Sequence, residues 1–321
     1  MRSLAFGALA LLLSGCGRSA IGDGLTVALV TPGSVADASW NAGAYQGLQW
    51  IRDSLQASIS HQEARTPGAQ EEALRAYAAS GYRLVFGHGF EFQQPAERVS
   101  REYPETIFIV TSGERVEGNV APLVFRIEEG TYLAGMYAAG LSRTGRIGFV
   151  GGIELPPIQR GYRGWLHGAQ RINPAIESRL TYLNTFDDAA AGREAALAMI
   201  RLGVDMLHHN ADEAAKGVFQ AARESNGIFV FGANADQTEL APDRVQGSVI
   251  LDLPRALLTV AREVADGTFM PKVESFGIAS GVIRYVPNPA LAGAVPAELE
   301  ARVRAAADSI AAGTLVPVPV N

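Results

Sequence analysis

Short apolar runs alternate with longer Ala- and Leu-rich segments over most of the chain. The first run, residues 25–31, is a near-continuous series of apolar and β-branched residues, as in parallel strands that are covered on both faces. Further strands are predicted at residues 84–86, 107–111, 146–150, 204–208, 228–231 and 245–250. Helices are predicted at residues 40–55, 69–79, 96–103, 129–141, 161–172, 189–202, 211–224 and 254–266. This alternation predicts βαβ units and parallel sheets.

So many units exceed what one open sheet comfortably holds. The sequence therefore predicts an α/β protein with two doubly wound lobes. A (β/α)₈ barrel of about 250 residues is the alternative for such a pattern. The two halves look alike, however, because each opens with a strand, a Gly-rich loop and a helix rich in aromatic residues. The break at Thr144-Gly145 marks the predicted join between the halves.

Residues 1–15 have the pattern of a signal peptide. Arg2 precedes an apolar stretch at residues 4–13, and the small residues Ser14 and Gly15 follow. About ten apolar residues span roughly 15 Å as a helix, half of the hydrocarbon core of a bilayer. Leu13-Ser14-Gly15-Cys16 resembles a bacterial lipobox, whose Cys is lipidated and becomes the N-terminus after cleavage. We expect a lipid anchor at Cys16, a tether over residues 16–24 and a place in the cell envelope. A signal peptide with an incidental Cys is the alternative.

Composition excludes several other classes of protein. Cys16 is the only cysteine, so no disulfide framework can form within the chain. The chain has 27 basic and 33 acidic residues, which leaves no basic footprint for nucleic acid. No phosphate-binding loop and no nucleophile elbow occur in the sequence. The pair His208-His209 lies near acidic residues, but adjacent strand residues point to opposite faces, so we expect no metal site and no cofactor.

Polar and aromatic residues follow the ends of the predicted strands. In doubly wound sheets, ligands bind beyond the carboxyl ends of the strands. The segments that follow the strands are residues 31–41, 87–92, 151–154, 208–212 and 232–237. Their Gly, carboxamide, carboxylate and aromatic groups suit a small, flat, neutral and polyhydroxylated ligand.

Several motifs occur in the order seen in one known family. They are Ser39-Trp40-Asn41, Gly87-His88-Gly89-Phe90, the block at residues 125–135, the block at residues 145–152, and the segment at residues 232–237. On these motifs the chain resembles the basic membrane protein lipoproteins, which are PnrA-like substrate-binding proteins of ABC importers that bind purine nucleosides. The resemblance covers residues 25–286. It is most specific over residues 125–152.

The resemblance implies the type I periplasmic-binding-protein fold, with two α/β lobes that the chain crosses three times. The boundaries that we expect are residues 25–143 plus 251–290 for the first lobe and residues 144–250 plus 291–321 for the second. Hinge crossings are expected near residues 142–146, near residues 248–252 and after Tyr285. A ligand bridging the two lobes would favour the closed form in proportion to its tighter binding to that form.

The family's site residues carry over by position. Trp40 matches an aromatic residue that stacks on the base, and Asn41 matches its hydrogen-bonding neighbour. Phe90 matches another base-facing element. Asn234 and Asp236 match a pair of acids that take ribose hydroxyls. The remaining expected ligand-binding residues, His209 and Asp212, lie in a segment that resembles a variant found in some members.

Two departures from the family bear on the sugar end of the ligand. Asn234 replaces the first acid of the pair, and Leu251 stands where the family often has Lys. A free nucleobase, or another flat heterocycle, therefore stays open beside a nucleoside. Trp40 and either of the phenylalanines near residue 90 could also be core residues.

The resemblance implies a monomeric binding protein, not an enzyme, that delivers its ligand to an ABC permease. A sensor lipoprotein that signals to a membrane partner is an alternative. A repressor of the LacI type shares the two-lobe fold but needs a basic DNA-binding head. An enzyme acting on a nucleoside is a third alternative, which predicts turnover of its ligand.

Overall fold

The computed structural model describes residues 24–37 and 39–318. The predicted leader, the lipidation site Cys16 and almost all of the tether lie outside the described residues. The described residues form two open six-stranded sheets, each covered by helices. The prediction of a two-sheet α/β protein is confirmed, and the single barrel is wrong.

The first sheet is entirely parallel. Its strands are β1 (Thr26–Thr31), β2 (Ser58–Glu63), β3 (Leu84–His88), β4 (Ile107–Thr111), β5 (Val120–Phe125) and β11 (Glu274–Phe276). They lie in the spatial order β11-β5-β4-β3-β1-β2. Every residue of β1 and β3 is buried, as their apolar runs predict.

The second sheet has the same plan with one antiparallel edge. Its strands are β6 (Arg146–Gly151), β7 (Glu177–Tyr182), β8 (Met206–Asn210), β9 (Phe229–Asn234), β10 (Val245–Leu251) and β12 (Ile283–Pro287). They lie in the order β12-β10-β9-β8-β6-β7, and only β12 runs antiparallel to its neighbour.

Helices cover both faces of each sheet. In chain order they are α1 (Trp40–Leu55), α2 (Pro67–Ala79), α3 (Gln93–Ser100), α4 (Ile127–Leu141), α5 (Pro156–Ile172), α6 (Ala189–Arg201), α7 (Ala215–Glu224), α8 (Leu253–Ala265) and α9 (Ala297–Ala311). Helix α1 packs on α8, and α2 packs beside α3, so these four form the first lobe with the first sheet. Helix α4 packs on α5 and α9, and α6 packs on α7, so these five form the second lobe.

The chain first crosses between the lobes at Arg126, not near residues 142–146. Strand β5 of the first sheet ends at Phe125, and α4 contacts α5, β10 and β12 of the second lobe. The expected boundary after residue 143 thus falls one helix too late. The reason for the difference is that the turn at Thr144-Gly145 joins α4 to β6 within the second lobe. This turn interrupts the sequence pattern but does not separate the lobes.

The other two crossings lie at the ends of β10 and β11. The chain returns to the first lobe between β10 and α8, and it leaves again between Phe276 and Ile283. Strand β12 pairs with β10, so residues 283–287 belong to the second lobe, whereas we expected them in the first. Backbone bonds tie the crossings together, since the Arg126 N–H donates to the Phe276 carbonyl at 2.8 Å and the Asp252 N–H to the Val282 carbonyl at 2.8 Å.

Helices α4 and α5 approach each other backbone to backbone. A Cβ at Gly168 would stand 1.9 Å from the carbonyl oxygen of Tyr132, and one at Gly135 would stand 2.1 Å from that of Trp165. Both distances are far below contact, so only glycine fits. This packing buries the Trp165 side chain completely. Because α4 begins directly after Arg126, the same packing attaches the crossing at Arg126 to the second lobe.

Candidate ligand-binding cleft

A cavity lies between the carboxyl ends of the two sheets. It holds about 620 Å³ of space not filled by atoms, its opening to solvent included. We call it the inner cavity. Its wall consists of Pro32, Trp40, Gly89, Phe90, Glu91, Ser112, Phe125, Ile127, Leu155, Pro157, Ile158, Phe186, Asn210, Asp212, Asn234 and Leu251. Both lobes contribute, as expected for ligands that bind beyond strand ends.

Trp40 forms part of the wall of the inner cavity, and the ring of His88 packs against it. The two rings stack with their centroids 4.1 Å apart and their planes 21° apart, and Phe125 lies nearly perpendicular to Trp40 with the ring centroids 6.2 Å apart. The Nε2 of His88 lies 3.1 Å from the Trp40 carbonyl oxygen, and its Nδ1 lies 2.9 Å from Thr111 Oγ1. Because a carbonyl only accepts, Nε2 carries the proton and Thr111 donates to Nδ1. Burial lowers the pKa of His88 to about 3, so the ring is neutral at pH 7.

Two phenylalanines that follow strands complete the aromatic part of the wall. Phe90 follows β3 after Gly89, whose φ of 136° is unfavourable for other residues. Phe186 follows β7, and its ring lies directly on Gly152, where a Cβ would stand 2.2 Å from the ring carbons. A side chain at residue 152 would therefore push Phe186 from its position. The wall is mostly apolar and has flat surfaces on both lobes.

Polar groups enter the inner cavity mainly from the ends of β8 and β9. Asp212 and Asn234 both have positive φ angles, of 44° and 66°, which turn the chain sharply after each strand. The Nδ2 of Asn234 lies 3.3 Å from Ser39 Oγ and 3.4 Å from Asp212 Oδ1. The bond to Ser39 joins the second lobe to the first.

The carboxyl groups of the inner cavity are poorly solvated. Burial, reinforced by the nearby Asp37 and Glu91 carboxyls, raises the pKa of Asp212 to about 8. Burial also raises the pKa of Glu91. A carboxyl with a pKa near 8 is mostly protonated at pH 7 and can donate as well as accept a hydrogen bond. The wall includes no Lys or Arg side chain among the described residues.

Of the seven expected binding residues, four line the inner cavity together: Trp40, Phe90, Asp212 and Asn234. Asn41 lies just outside it, in a larger and more open space that we call the outer chamber. The two spaces are adjacent, because Pro32, Glu91, Leu155, Phe186 and Asp212 line both.

His209 and Asp236 do not line either space. His209 is fully buried under α7, with its ring edge-on to Phe219 and its Nε2 2.9 Å from Gln237 Oε1. It precedes the last residue of β8, and that last residue, Asn210, is the one that reaches the cavity. Asp236 is exposed and accepts hydrogen bonds from the Thr238 N–H and hydroxyl, at 3.0 and 2.7 Å, so it caps a turn.

Sequence reasoning missed Phe186, Glu91 and Asn210. Phe186 follows β7, a half-exposed polar strand without the apolar run by which the other strands are recognised. Glu91 and Asn210 stand beside expected residues, in segments already expected to follow strands. Leu251, noted as a departure from the family, does line the inner cavity. An apolar side chain thus occupies a position where the family often has Lys.

Among residues 24–37 and 39–318, no group of three or more His, Cys, Asp or Glu side chains is placed to hold a metal ion. In the same part of the chain, no helix is both long enough and apolar enough to cross a membrane.

Comparison with protein families identifies the chain. The family model of PnrA-like ABC transporter substrate-binding proteins, the Bmp family, matches residues 25–305. The chain belongs to this family. The resemblance inferred from the sequence motifs is confirmed.

Named relatives agree with this membership, and a solved structure shares the fold. The chain is 30% identical to the ABC transporter nucleoside-binding protein BmpA of Lactococcus lactis, over 76% of this chain and 75% of that protein. It is 28% identical to a purine-binding protein of Brucella abortus, over 68% of this chain and 61% of that protein. A solute-binding protein of an ABC transporter system from Aeropyrum pernix superposes with a TM-score of 0.83, at 24% identity over 90% of this chain and 92% of that one. The expected type I periplasmic-binding fold is confirmed.

Proposed function

We propose that this Bmp family member captures a purine nucleoside or a related nucleobase by closure of its two lobes, and that it delivers the ligand to an ABC permease. In the mature protein, Cys16 would hold the chain at a membrane of the cell envelope through its lipid. The residues of the inner cavity support the ligand class, and the two relatives named above agree with it.

The observation that carries this proposal is the arrangement of Trp40. Its ring is locked on one side by His88 and lines the inner cavity between the lobes. Stacking of a base on an aromatic ring is worth about 1–3 kcal/mol in other proteins. With Phe90 and Phe186 in the same wall, the cavity favours a flat heterocycle over an aliphatic ligand.

The polar groups of the inner cavity suit a neutral ligand. Asp212, Asn234 and Asn210 offer carboxyl and amide groups to hydroxyl or N–H groups. With Leu251 in the wall and no cation among the described lining residues, a phosphate would find no cationic partner there. We therefore propose a nucleoside or base as the ligand and not a nucleotide.

Closure is supported by polar contacts that bridge the lobes. The Asn234 side chain donates to Ser39, and the Arg65 guanidinium lies 3.1 Å from the Asp187 carboxylate at the edge of the outer chamber. Three crossings, at Arg126, at Asp252 and between Phe276 and Ile283, would absorb the change in angle. A ligand that touches both walls would stabilise the closed form by its tighter binding to that form.

A ligand screen by thermal unfolding tests the proposal. The chain from residue 17 onward is heated with purine nucleosides, purine bases, pyrimidine nucleosides, sugars and amino acids, one class at a time. A ligand at a hundredfold excess over its Kd adds about 2.7 kcal/mol of stability. We expect a clear rise in Tm with at least one purine compound. A rise only with a sugar or an amino acid would overturn the proposed ligand class.

A further inference from the structure

Arg160, in the second turn of α5, lies between two carboxylates. Its Nη1 is 3.8 Å from Glu114 Oε1, and its Nε is 4.0 Å from Glu128 Oε2. Glu114 belongs to the first lobe, in the segment between β4 and β5, whereas Glu128 belongs to the second lobe, in the first turn of α4. The guanidinium thus stands between a carboxylate of its own lobe and one of the opposite lobe. We call these three residues the Arg160 triad.

Glu128 is the member of the Arg160 triad with an unsatisfied atom. Its side chain is 13% exposed, and its Oε2 is buried with no hydrogen-bond partner among the described residues. Buried polar atoms in native proteins are almost always paired, because an unpaired one costs the free energy of its desolvation. Both distances to Arg160 are about 1 Å beyond those of hydrogen bonds. A small movement of Glu114 toward Arg160, with a reorientation of the guanidinium, would therefore complete both pairs.

The backbone is held in place on each side of the Arg160 triad. In the first lobe, Glu114 donates its N–H to Oε1 of the buried Gln93 on α3, at 3.2 Å. In the second lobe, α5 lies so close to α4 that a Cβ at Gly164 would stand 2.4 Å from the carbonyl oxygen of Glu128. The distance between the backbones at Glu114 and Arg160 therefore changes when one lobe moves relative to the other.

Each member of the Arg160 triad comes one or two residues after a residue that lines the inner cavity. The three lining residues, one for each member, are Ser112, Ile127 and Ile158. A ligand that draws these segments together therefore also brings the members of the triad together. None of the three charged side chains belongs to the described wall of the cavity. Their effect on binding would act through the angle between the lobes and not through contact with the ligand.

We infer that Arg160 is a positioning residue for ligand capture, which stabilises the closed form by pairing with Glu114 across the lobes while Glu128 holds its guanidinium in place. The Arg160 side chain is 26% exposed, so the attraction is less screened by water and salt than at an open surface. In the open form Glu114 moves away with the first lobe, and this attraction is lost. The inference rests on the proposed function, because it assumes that closure accompanies binding.

Calorimetric titration with adenosine and guanosine, on the chain from residue 17 onward, tests the pair of Arg160 and Glu114. We expect Arg160→Gln and Glu114→Gln each to weaken binding by about threefold, a typical effect of a partly exposed ion pair. The double variant should also lose about threefold and not about ninefold, because either substitution alone removes the pair. Arg163→Gln, exposed on the same helix, is the control and should bind as the wild type does. Wild-type affinity in either single variant, or additive losses in the double variant, would overturn the inference.

A distance between the lobes separates positioning from a general loss of stability. The chain from residue 17 onward has no cysteine, so spin labels can be attached through Glu72→Cys on α2 and Glu194→Cys on α6, both exposed. Arg65 and Asp187, which precede these helices, are in contact across the lobes, so the label distance lengthens as the cleft opens. We expect Arg160→Gln to shift the distance distribution toward longer values, both without nucleoside and with it.

The two measurements distinguish the possible failures. Loss of affinity in Arg160→Gln with an unchanged distance distribution would overturn the role of Arg160 in closure. If a nucleoside binds the wild type and Arg160→Gln changes neither affinity nor distance, this inference fails and the proposed function stands. If no purine compound binds the wild type at all, the proposed function fails, and the role of Arg160 in capture fails with it.

Discussion

The side chain of Asn234 donates a hydrogen bond to Ser39 across the cleft, with 3.3 Å between Nδ2 and Oγ. Asn234 ends β9 of the second lobe, whereas Ser39 precedes α1 of the first. The bond is buried and lies beside Asp212 and Trp40 in the candidate site. Contact between the lobes is thus made by the same segments that we propose to hold the ligand.

Ser39→Ala should weaken ligand binding without disturbing either lobe. The variant removes the cross-lobe acceptor, and a hydrogen bond of this kind is worth about 0.5–1.5 kcal/mol, or roughly two- to tenfold in Kd. Calorimetric titration with the best ligand measures the change. Ser54→Ala, on the exposed part of α1, is the control. Wild-type affinity in Ser39→Ala would show that this bond contributes nothing to the closed form.

His88→Leu should reduce ligand affinity although His88 lies behind the cavity wall. The variant removes the ring beneath Trp40 and leaves the buried Thr111 hydroxyl without the acceptor Nδ1 of His88. The unpaired buried group should lower the free energy of unfolding by about 1–3 kcal/mol, and the freed indole should bind the ligand less well. Denaturation and titration measure the two effects.

His167→Leu is the matched control for His88→Leu. Its Nδ1 lies 2.9 Å from the Pro317 carbonyl oxygen, on the side of the second lobe that α5 and the chain after α9 share. We expect it to keep wild-type affinity. If His88→Leu is destabilised yet binds its ligand as the wild type does, support of Trp40 by His88 is not needed for binding.

The pH dependence of stability should carry a contribution from Asp212. In the folded protein this carboxyl keeps its proton up to about pH 8, whereas in the unfolded chain it ionises near pH 4. Between these values the folded state binds more protons, so the free energy of unfolding falls as the pH rises, by at most about 1.4 kcal/mol per unit. The Asp212→Asn variant has no carboxyl at this position and therefore lacks this loss of stability with rising pH. Asparagine also tolerates the φ of 44° at residue 212.

Urea denaturation of the wild type and Asp212→Asn at pH 5, 6, 7 and 8 tests this contribution. The difference in free energy of unfolding should move steadily in favour of the variant as the pH rises. Asp236→Asn, at an exposed position outside the cavity, should follow the wild-type profile. A constant difference between wild type and Asp212→Asn from pH 5 to 8 would show that Asp212 is ionised throughout.

Gly168→Ala should destabilise the second lobe strongly. The added Cβ would stand 1.9 Å from the Tyr132 carbonyl oxygen, so α4 and α5 would have to separate. We expect a loss of about 3 kcal/mol or more in the free energy of unfolding, the upper range for overpacked sites. Gly68→Ala, in α2, has no atom within 4 Å of the new Cβ and should be neutral or slightly stabilising. Similar stability of the two variants would contradict the close packing of α4 and α5.

The central elements of the fold could be predicted from the sequence, because buried parallel strands are continuous apolar runs. Helix α1 occupies the predicted residues 40–55, and Trp40 stands at its start, in the cavity wall. The edge strands β2 and β7 are polar and half-exposed, so periodicity does not distinguish them from loops. Phe186 was missed for this reason, since the strand that positions it was missed.

The positions of the two expected residues that lie outside the cavity depend on tertiary packing. His209 follows the alternation of β8 into the core under α7, and Asp236 lies one turn beyond the cavity. Alternation places His209 and Asn210 on opposite faces of the sheet, but residue type does not show which of the two faces the cavity. The first crossing was misplaced for a related reason, because α4 belongs to the second lobe through tertiary contacts with α5, α9, β10 and β12.

The most direct test of the account is a titration of the wild type, Trp40→Ala and Trp50→Ala with adenosine and guanosine. Trp50 lies on the same helix but is 42% exposed and outside the inner cavity, which makes it the matched control. We predict that the wild type and Trp50→Ala bind at least one of the two with equal affinity. Trp40→Ala should bind it about 5- to 150-fold more weakly, through the loss of about 1–3 kcal/mol of stacking. Equal affinity of Trp40→Ala and the wild type would contradict the account.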